Sequence, residues 1–207
     1  DQAIPATPEL LLARPGSGDF RLLSTAGHLL LADGDAATGL GRAVYEGLGA
    51  GSDVWMDGRM DADGSSTVLL PFGILCRLFQ HDAQLRRVRL TVATAPEGPQ
   101  YQTCTALALA DDGTAFMREL GRVLLHVDAA GVQQPDVPLQ LAANIWLDPY
   151  ALALLADQPL VAGSVTAEDE QRPWLGAFDV TGTPLWSHTL TAAGDGGWRA
   201  RMLTHAG

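Results

Sequence analysis

Two runs of alternating residues meet at a glycine turn in the stretch Trp174 to Leu190, WLGAFDVTGTPLWSHTL. Leu175, Ala177 and Val180 around Phe178 lead into Thr181-Gly182, and Leu185 to Leu190 leads out. Period-two patterning on both sides of such a turn predicts a β-hairpin. The hairpin recurs. Equivalent turns fall at Ala26-Gly27, Asp82-Ala83 and Ala130-Gly131, at intervals of 56, 48 and 51 residues. A chain that repeats one supersecondary unit at this period is confined to a repeat architecture.

A second turn series runs in step with the first. Asp63-Gly64, Asp112-Gly113, Asp157-Gln158 and Ala206-Gly207 each close a run with strand character, at intervals of 49, 45 and 49 residues. Four residues before the second member of each turn stand Met60, Leu109, Leu154 and Leu203; seven before it stand Asp57, Ala106, Ala151 and Ala200. One parity is large and apolar and the other mostly small. That suits a crowded innermost strand, where only small side chains fit on one side.

Each unit thus reads as four short strands, the size of a propeller blade. The expected strands are 53–61, 66–72, 74–80 and 85–92; then 102–110, 114–119, 121–128 and 132–140; then 149–156, 159–166, 173–180 and 184–190. The remaining unit is split: strands near 9–14, 19–25 and 28–32 are completed by a C-terminal strand near 197–205. The fold expected is all-β, a four-bladed β-propeller over 9–207 closed by pairing the N- and C-terminal strands (199–204 antiparallel to 9–14), with 1–8 as an N-terminal arm. Such pairing leaves no open edge at the seam. A β-sandwich or open barrel is the competing architecture. Gly39, Gly41 and Gly47 argue against a helix in Ala36 to Leu48, which reads as an ordered loop.

The run Ala177-Phe178-Asp179-Val180-Thr181-Gly182-Thr183-Pro184-Leu185-Trp186 resembles the blade signature of PQQ-like bacterial propeller repeats, an aliphatic-Asp-x-x-Gly-x-x-Leu-Trp pattern at the same hairpin. Leu160-Val161-Ala162-Gly163-Ser164 fits the second strand of such a blade, and Val127-Asp128-Ala129-Ala130-Gly131 keeps the turn in the preceding unit. The resemblance implies architecture. It carries over no quinone ligand and no reaction.

The formal net charge is −11, and all thirteen basic residues are arginine. A chain this acidic is repelled by phosphate backbones and anionic lipid, which argues against nucleic-acid or membrane-surface partners. No apolar run approaches the roughly 18–20 residues of a membrane helix. The opening Asp1-Gln2-Ala3-Ile4, without Met, reads as a mature start left by signal or pro-peptide removal or as the cut edge of a longer chain, and the localisation expected is secreted or periplasmic. Cys76 and Cys104 match no zinc spacing; one disulfide or two buried thiols are the readings left open.

No nucleophile elbow, phosphate loop or dinucleotide fingerprint is present. Asp61, Asp63, Asp111, Asp112 and Asp157 would gather at one mouth of the ring with His205, where a calcium ion is the candidate cation; Asp is also what a tight hairpin turn needs. At the opposite face, Trp55 and Trp198 occupy one repeat position, with Trp146, Asp53, Asp57, Asp195 and Arg199 nearby. Aromatic rings with a few polar groups suit a sugar or other small molecule, and packing between blades is the other role for such rings. His28, His81, His126, His188 and His205 fall at unlike repeat positions, which points away from a metal site shared among them. The function expected is a non-catalytic binding or structural module, taking a small molecule, sugar or protein and needing no cofactor. A carbohydrate-active enzyme and a self-assembling structural protein are the alternatives.

Overall fold

A computed structural model describes residues 10–24, 27–31, 42–43, 57–72, 75–94, 104, 106–118, 123–141, 146–167 and 170–189. These form four antiparallel four-stranded sheets, each joining its strands in chain order. The chain divides into two compact units, residues 1–94 and 95–207. No helix among the described residues is long and apolar enough to cross a membrane.

Unit one holds two sheets. The first is β1 (Leu10–Ala13), β2 (Phe20–Ser24), β3 (Gly27–Leu31) and β4 (Arg42–Ala43). The second is β5 (Asp57–Met60), β6 (Ser66–Phe72), β7 (Leu75–His81) and β8 (Arg87–Thr94). Their first strands, β1 and β5, lie side by side. Leu12, Met60, Val68, Leu70 and Phe79 form the core there. Unit two repeats the plan with β9 (Ala106–Leu109), β10 (Ala115–Arg118), β11 (Val123–Val127) and β12 (Val137–Pro138), then β13 (Trp146–Leu155), β14 (Gln158–Ala167), β15 (Glu170–Phe178) and β16 (Pro184–Thr189). Its first strands, β9 and β13, are again neighbours, and the small residues Ala106, Ala108, Ala151 and Ala153 are buried on them. Phe116, Leu124, Val137, Val161, Trp174 and Phe178 fill the core of this unit. Phe116 and Phe178 are fully buried, each contributing about 1.5–3 kcal/mol. Trp174 lies over Gly176, where any Cβ would strike the indole.

The turns have one recurring form. In 61–65, 110–114, 128–132 and 179–183 the fourth residue's N–H bonds to the first residue's carbonyl, and the first residue's N–H bonds to the fifth's. The fourth residue is Gly64, Gly113, Gly131 or Gly182, with φ of 86°, 94°, 81° and 83°. This is a type I turn closed by a left-handed residue in a bulge, a three-residue hairpin loop. The loop at 82–86 is the same with Leu85 at φ 65°; burial of the Leu85 side chain offsets the strain. Only 156–157 is a two-residue turn among these, with Ala156 at φ 48° and Asp157 at φ 62°, the type I′ signature.

Strand positions expected from 53 to 190 match β5 through β16 to within a few residues. The N-terminal unit differs. β4 pairs with β3, so the first sheet takes its fourth strand from Arg42–Ala43, inside the stretch read as a loop. Its first three strands are therefore strands one to three of a unit rather than two to four. The Ala26-Gly27 turn accordingly joins second and third strands, whereas 82–86, 128–132 and 179–183 join third and fourth. The period misled because a β2–β3 turn and a β3–β4 turn share residue chemistry. The expected pairing of 199–204 with 9–14 involves residues outside those described.

Candidate functional site

In each four-stranded meander the first and third turns fall at the same sheet end, and most of the chemistry-bearing side chains cluster there. In unit one this end is pinned by two arginines. Arg14 Nε donates to the Ala62 carbonyl at 2.8 Å and its Nη1 to Asp19 Oδ2 at 3.0 Å, tying the first sheet's loop to the 61–65 turn. Arg21, on β2, is fully buried. Its guanidinium donates to Ser66 Oγ, to the Gly64 carbonyl and, at 2.9 Å, to the Asp82 carbonyl. One side chain thus joins the first sheet to two turns of the second. His81, buried beside it, has its pKa lowered to about 4, by burial first and then by the charges of Arg21 and Arg87 against the opposing Asp82. It is neutral at pH 7.

The aspartates expected to hold calcium serve the turns. Asp63 Oδ1 accepts from the Ser65 N–H at 2.8 Å, and Asp112 Oδ1 from the Thr114 N–H at 2.7 Å. Asp61 accepts from Arg59 Nε at 2.7 Å. Asp128 Oδ1 accepts from the Val132 N–H at 2.9 Å, and Asp179 Oδ1 from the Thr181 and Thr183 N–H groups at 2.8 and 2.9 Å. Hydrogen bonds from Ser65, Thr114 and Thr181 hold Asp63, Asp112 and Asp179 below the ordinary carboxylate value. Asp61 and Asp63 belong to unit one; Asp111, Asp112 and Asp157, all exposed, belong to unit two. Among the described residues no three His, Cys, Asp or Glu side chains are grouped to hold a metal ion.

Of the aromatic site, Asp57 lies on β5, its Oδ1 accepting from the Gly58 N–H at 2.7 Å. Trp146 opens β13, paired with Thr166. Trp55, Trp198, Asp53, Asp195 and Arg199, like His205, lie outside the described residues. His126 stacks on Phe116 with ring centroids 4.6 Å apart, and burial lowers its pKa against the pull of Asp128. His188 lies 5.5 Å from Trp186 on β16. Cys76 and Cys104 are both buried, and both are disulfide-bonded.

What the sequence did not single out is the surface character of the unit-two turns. Asp111, Asp112, Asp128, Asp157 and Asp179 sit on turns without a single arginine, and Val132, Leu155, Val180 and Leu185 are exposed at the same sheet ends. The loops are held rigid where they meet: Gln140 N–H donates to the Gly182 carbonyl at 2.9 Å, and a Cβ on Gly182 would run into the Pro138 carbonyl. The signal was in the sequence as Asp-x-x-Gly-x with an apolar residue beside it, which reads equally well as plain turn chemistry.

No protein-family model and no curated protein sequence matches the chain. Solved structures do. BBS1N, in its complex with ARL6DN, matches with a TM-score of 0.58 at 14% identity, over 89% of this chain and 52% of that one. The Dos1 propeller matches with a TM-score of 0.51 at 14% identity, over 90% and 49%. A protein of unknown function from Bacteroides caccae matches with a TM-score of 0.52 at 11% identity, over 88% and 81%. The chain spans about half the length of the BBS1N and Dos1 chains. The likeness is one of fold: the four-stranded antiparallel sheet is a unit this chain shares with propeller proteins.

Proposed function

We propose that this chain is a non-catalytic binding module of propeller type, and that the turn ends of unit two form a contact surface for a basic protein segment. The observation that carries the reading is the pairing of rigidity with one-signed charge. Asp112, Asp128 and Asp179 cap their own turns, so these loops are preorganised and a partner loses little loop entropy on binding. The same carboxylates set a negative field around exposed Val132, Val180 and Leu185, which suits a partner carrying Arg or Lys beside apolar residues. That BBS1N was crystallised with a protein partner is in keeping with this use of the fold. We extend the proposal to PQQ-like repeats, on the strength of the Asp179–Trp186 pattern at the β15–β16 hairpin, and to a secreted or periplasmic setting, supported by the disulfide-bonded cysteines.

The test is surface plasmon resonance of the whole chain against peptides alternating Arg with Leu and their Glu–Leu counterparts. The Arg–Leu peptides should bind, lose affinity in high salt, and lose about tenfold against Val180→Lys with Leu185→Lys. Equal binding of both peptide sets would overturn the surface assignment, and turnover of aryl glycosides by the pure protein would overturn the non-catalytic reading.

A further inference from the structure

Ser66, His81 and Arg87 stand opposite one another on β6, β7 and β8, one row across the second sheet of unit one. Arg21 reaches this row from β2 of the first sheet, donating to Ser66 Oγ and, on the turns beside it, to the Gly64 and Asp82 carbonyls. Arg21 and His81 are both buried. The His81 ring lies nearly parallel to that of Phe79, with centroids 6.4 Å apart, and Phe79 packs in the core with Leu12, Met60, Val68 and Leu70. A neutral imidazole therefore sits where the polar clamp of the turn end meets the apolar core of the unit.

The charges around it are unevenly matched. Arg21 on β2 and Arg87 on β8 oppose a proton on His81, and Asp82 in its own turn favours one. Asp82 is already engaged: Oδ1 accepts from the Gln84 and Arg86 N–H groups at 3.0 and 2.9 Å, and Oδ2 from Arg86 Nε at 2.7 Å. On the 61–65 turn Asp61 accepts from Arg59 and Asp63 from the Ser65 N–H, while Arg14, which reaches that turn, is paired with Asp19. A proton on His81 thus adds a buried cation beside two others, and burial disfavours it further. Turning this end out to water relieves both penalties. We propose that the Arg21–His81 cluster is an acid-released latch: when His81 is protonated the Arg21 clamp lets go, and β2 parts from the 61–65 and 82–86 turns while the core of Leu12 and Phe79 holds the two sheets together as a pivot.

The pH window follows from linkage. Closed, His81 is protonated only near pH 4; opened to water, it takes up its proton near the ordinary 6.5. The open form binds more protons between these values, so opening gains as pH falls through the window and levels off below it. Asp63 and Asp82 are held below the ordinary carboxylate value and stay mostly charged there, and the arginines stay charged throughout. The window therefore belongs to His81. From pH 7 to pH 5 the opening equilibrium should rise by about 20-fold. The latch lies in unit one and the acidic turns proposed as a contact surface lie in unit two, so neither reading rests on the other.

Hydrogen exchange of the intact disulfide-bonded chain at pH 7 and pH 5, read by mass spectrometry and corrected for the intrinsic pH dependence of exchange, tests the latch. Residues 20–24, 64–66 and 80–82 should exchange about 20-fold faster at pH 5, and 160–165 in unit two should not follow them. His81→Phe, which keeps a ring against Phe79, and His81→Gln, which keeps a polar group, should each abolish the rise whatever their rates at pH 7. No rise in the parent, the same rise in both variants, or an equal rise in 160–165 would overturn the proposal.

Discussion

Replacing Arg21 with Met removes the guanidinium and keeps most of the apolar volume, so the loss is one of hydrogen bonding. Three acceptors are stranded. The Gly64 carbonyl and Ser66 Oγ belong to buried residues, and the Asp82 carbonyl is part-buried. A buried acceptor left unmade costs about 1–3 kcal/mol. Ser66 can rotate to another partner and Asp82 can find water, which brings the sum to the lower end. Set against this, the variant no longer buries a charge, and apolar replacements of buried ionic groups can be neutral or stabilising. Here the partners are carbonyls and a hydroxyl that remain in place, so the stranded acceptors prevail, and destabilisation of about 3 kcal/mol is expected. For a chain of this size that lowers Tm by about 6–12 °C. Differential scanning calorimetry at pH 7 reads it. Arg21→Lys, which keeps the charge but not the fork, should lose about half as much. Because Arg21 helps lower the His81 pKa, NMR titration of Arg21→Met should show His81 titrating at higher pH than in the parent. A Tm within about 2 °C of the parent in the Met variant, or a His81 titration that does not move, would refute the clamp.

His81 also sets a pH dependence. Its folded pKa of about 4 lies below the ordinary histidine value of 6.5, so between these values the unfolded chain binds more protons and stability falls as pH falls. Thermal scans from pH 7 to 4 should show this decline, and His81→Phe should flatten it. Below that window the lowered carboxylates Asp63, Asp82, Asp112 and Asp179 continue the loss in both proteins. Gly182→Ala should lower stability by about 2–4 kcal/mol, since it adds left-handed strain to a clash with the Pro138 carbonyl, whereas Gly113→Ala, where a Cβ would only touch Ala129 at 3.9 Å, should lose only about 1 kcal/mol; equal losses by urea denaturation would refute the contact. Denatured, unreduced protein should show no free thiol.

Strand periodicity and turn chemistry act over a few residues, and those are the features the sequence alone determined. Leu109 and Ala108 alternate as β9 does, and Asp179 and Gly182 stand three apart because one caps the loop and the other takes its left-handed position. Hence twelve strands, from 57 to 189, lie where the pattern puts them. Tertiary structure decided the rest. β4 is a two-residue strand whose only mark is its partner, β3. Arg21 looks like any arginine on an alternating strand, and only partners 43, 45 and 61 residues away bury it. Gly182 was legible as a turn glycine, but the second reason for it, the Pro138 carbonyl against its Cα, comes from the neighbouring sheet. The exposed apolar residues at the acidic turns follow the same rule. Sequence sets which side chains alternate, while exposure depends on what else the chain lays against them.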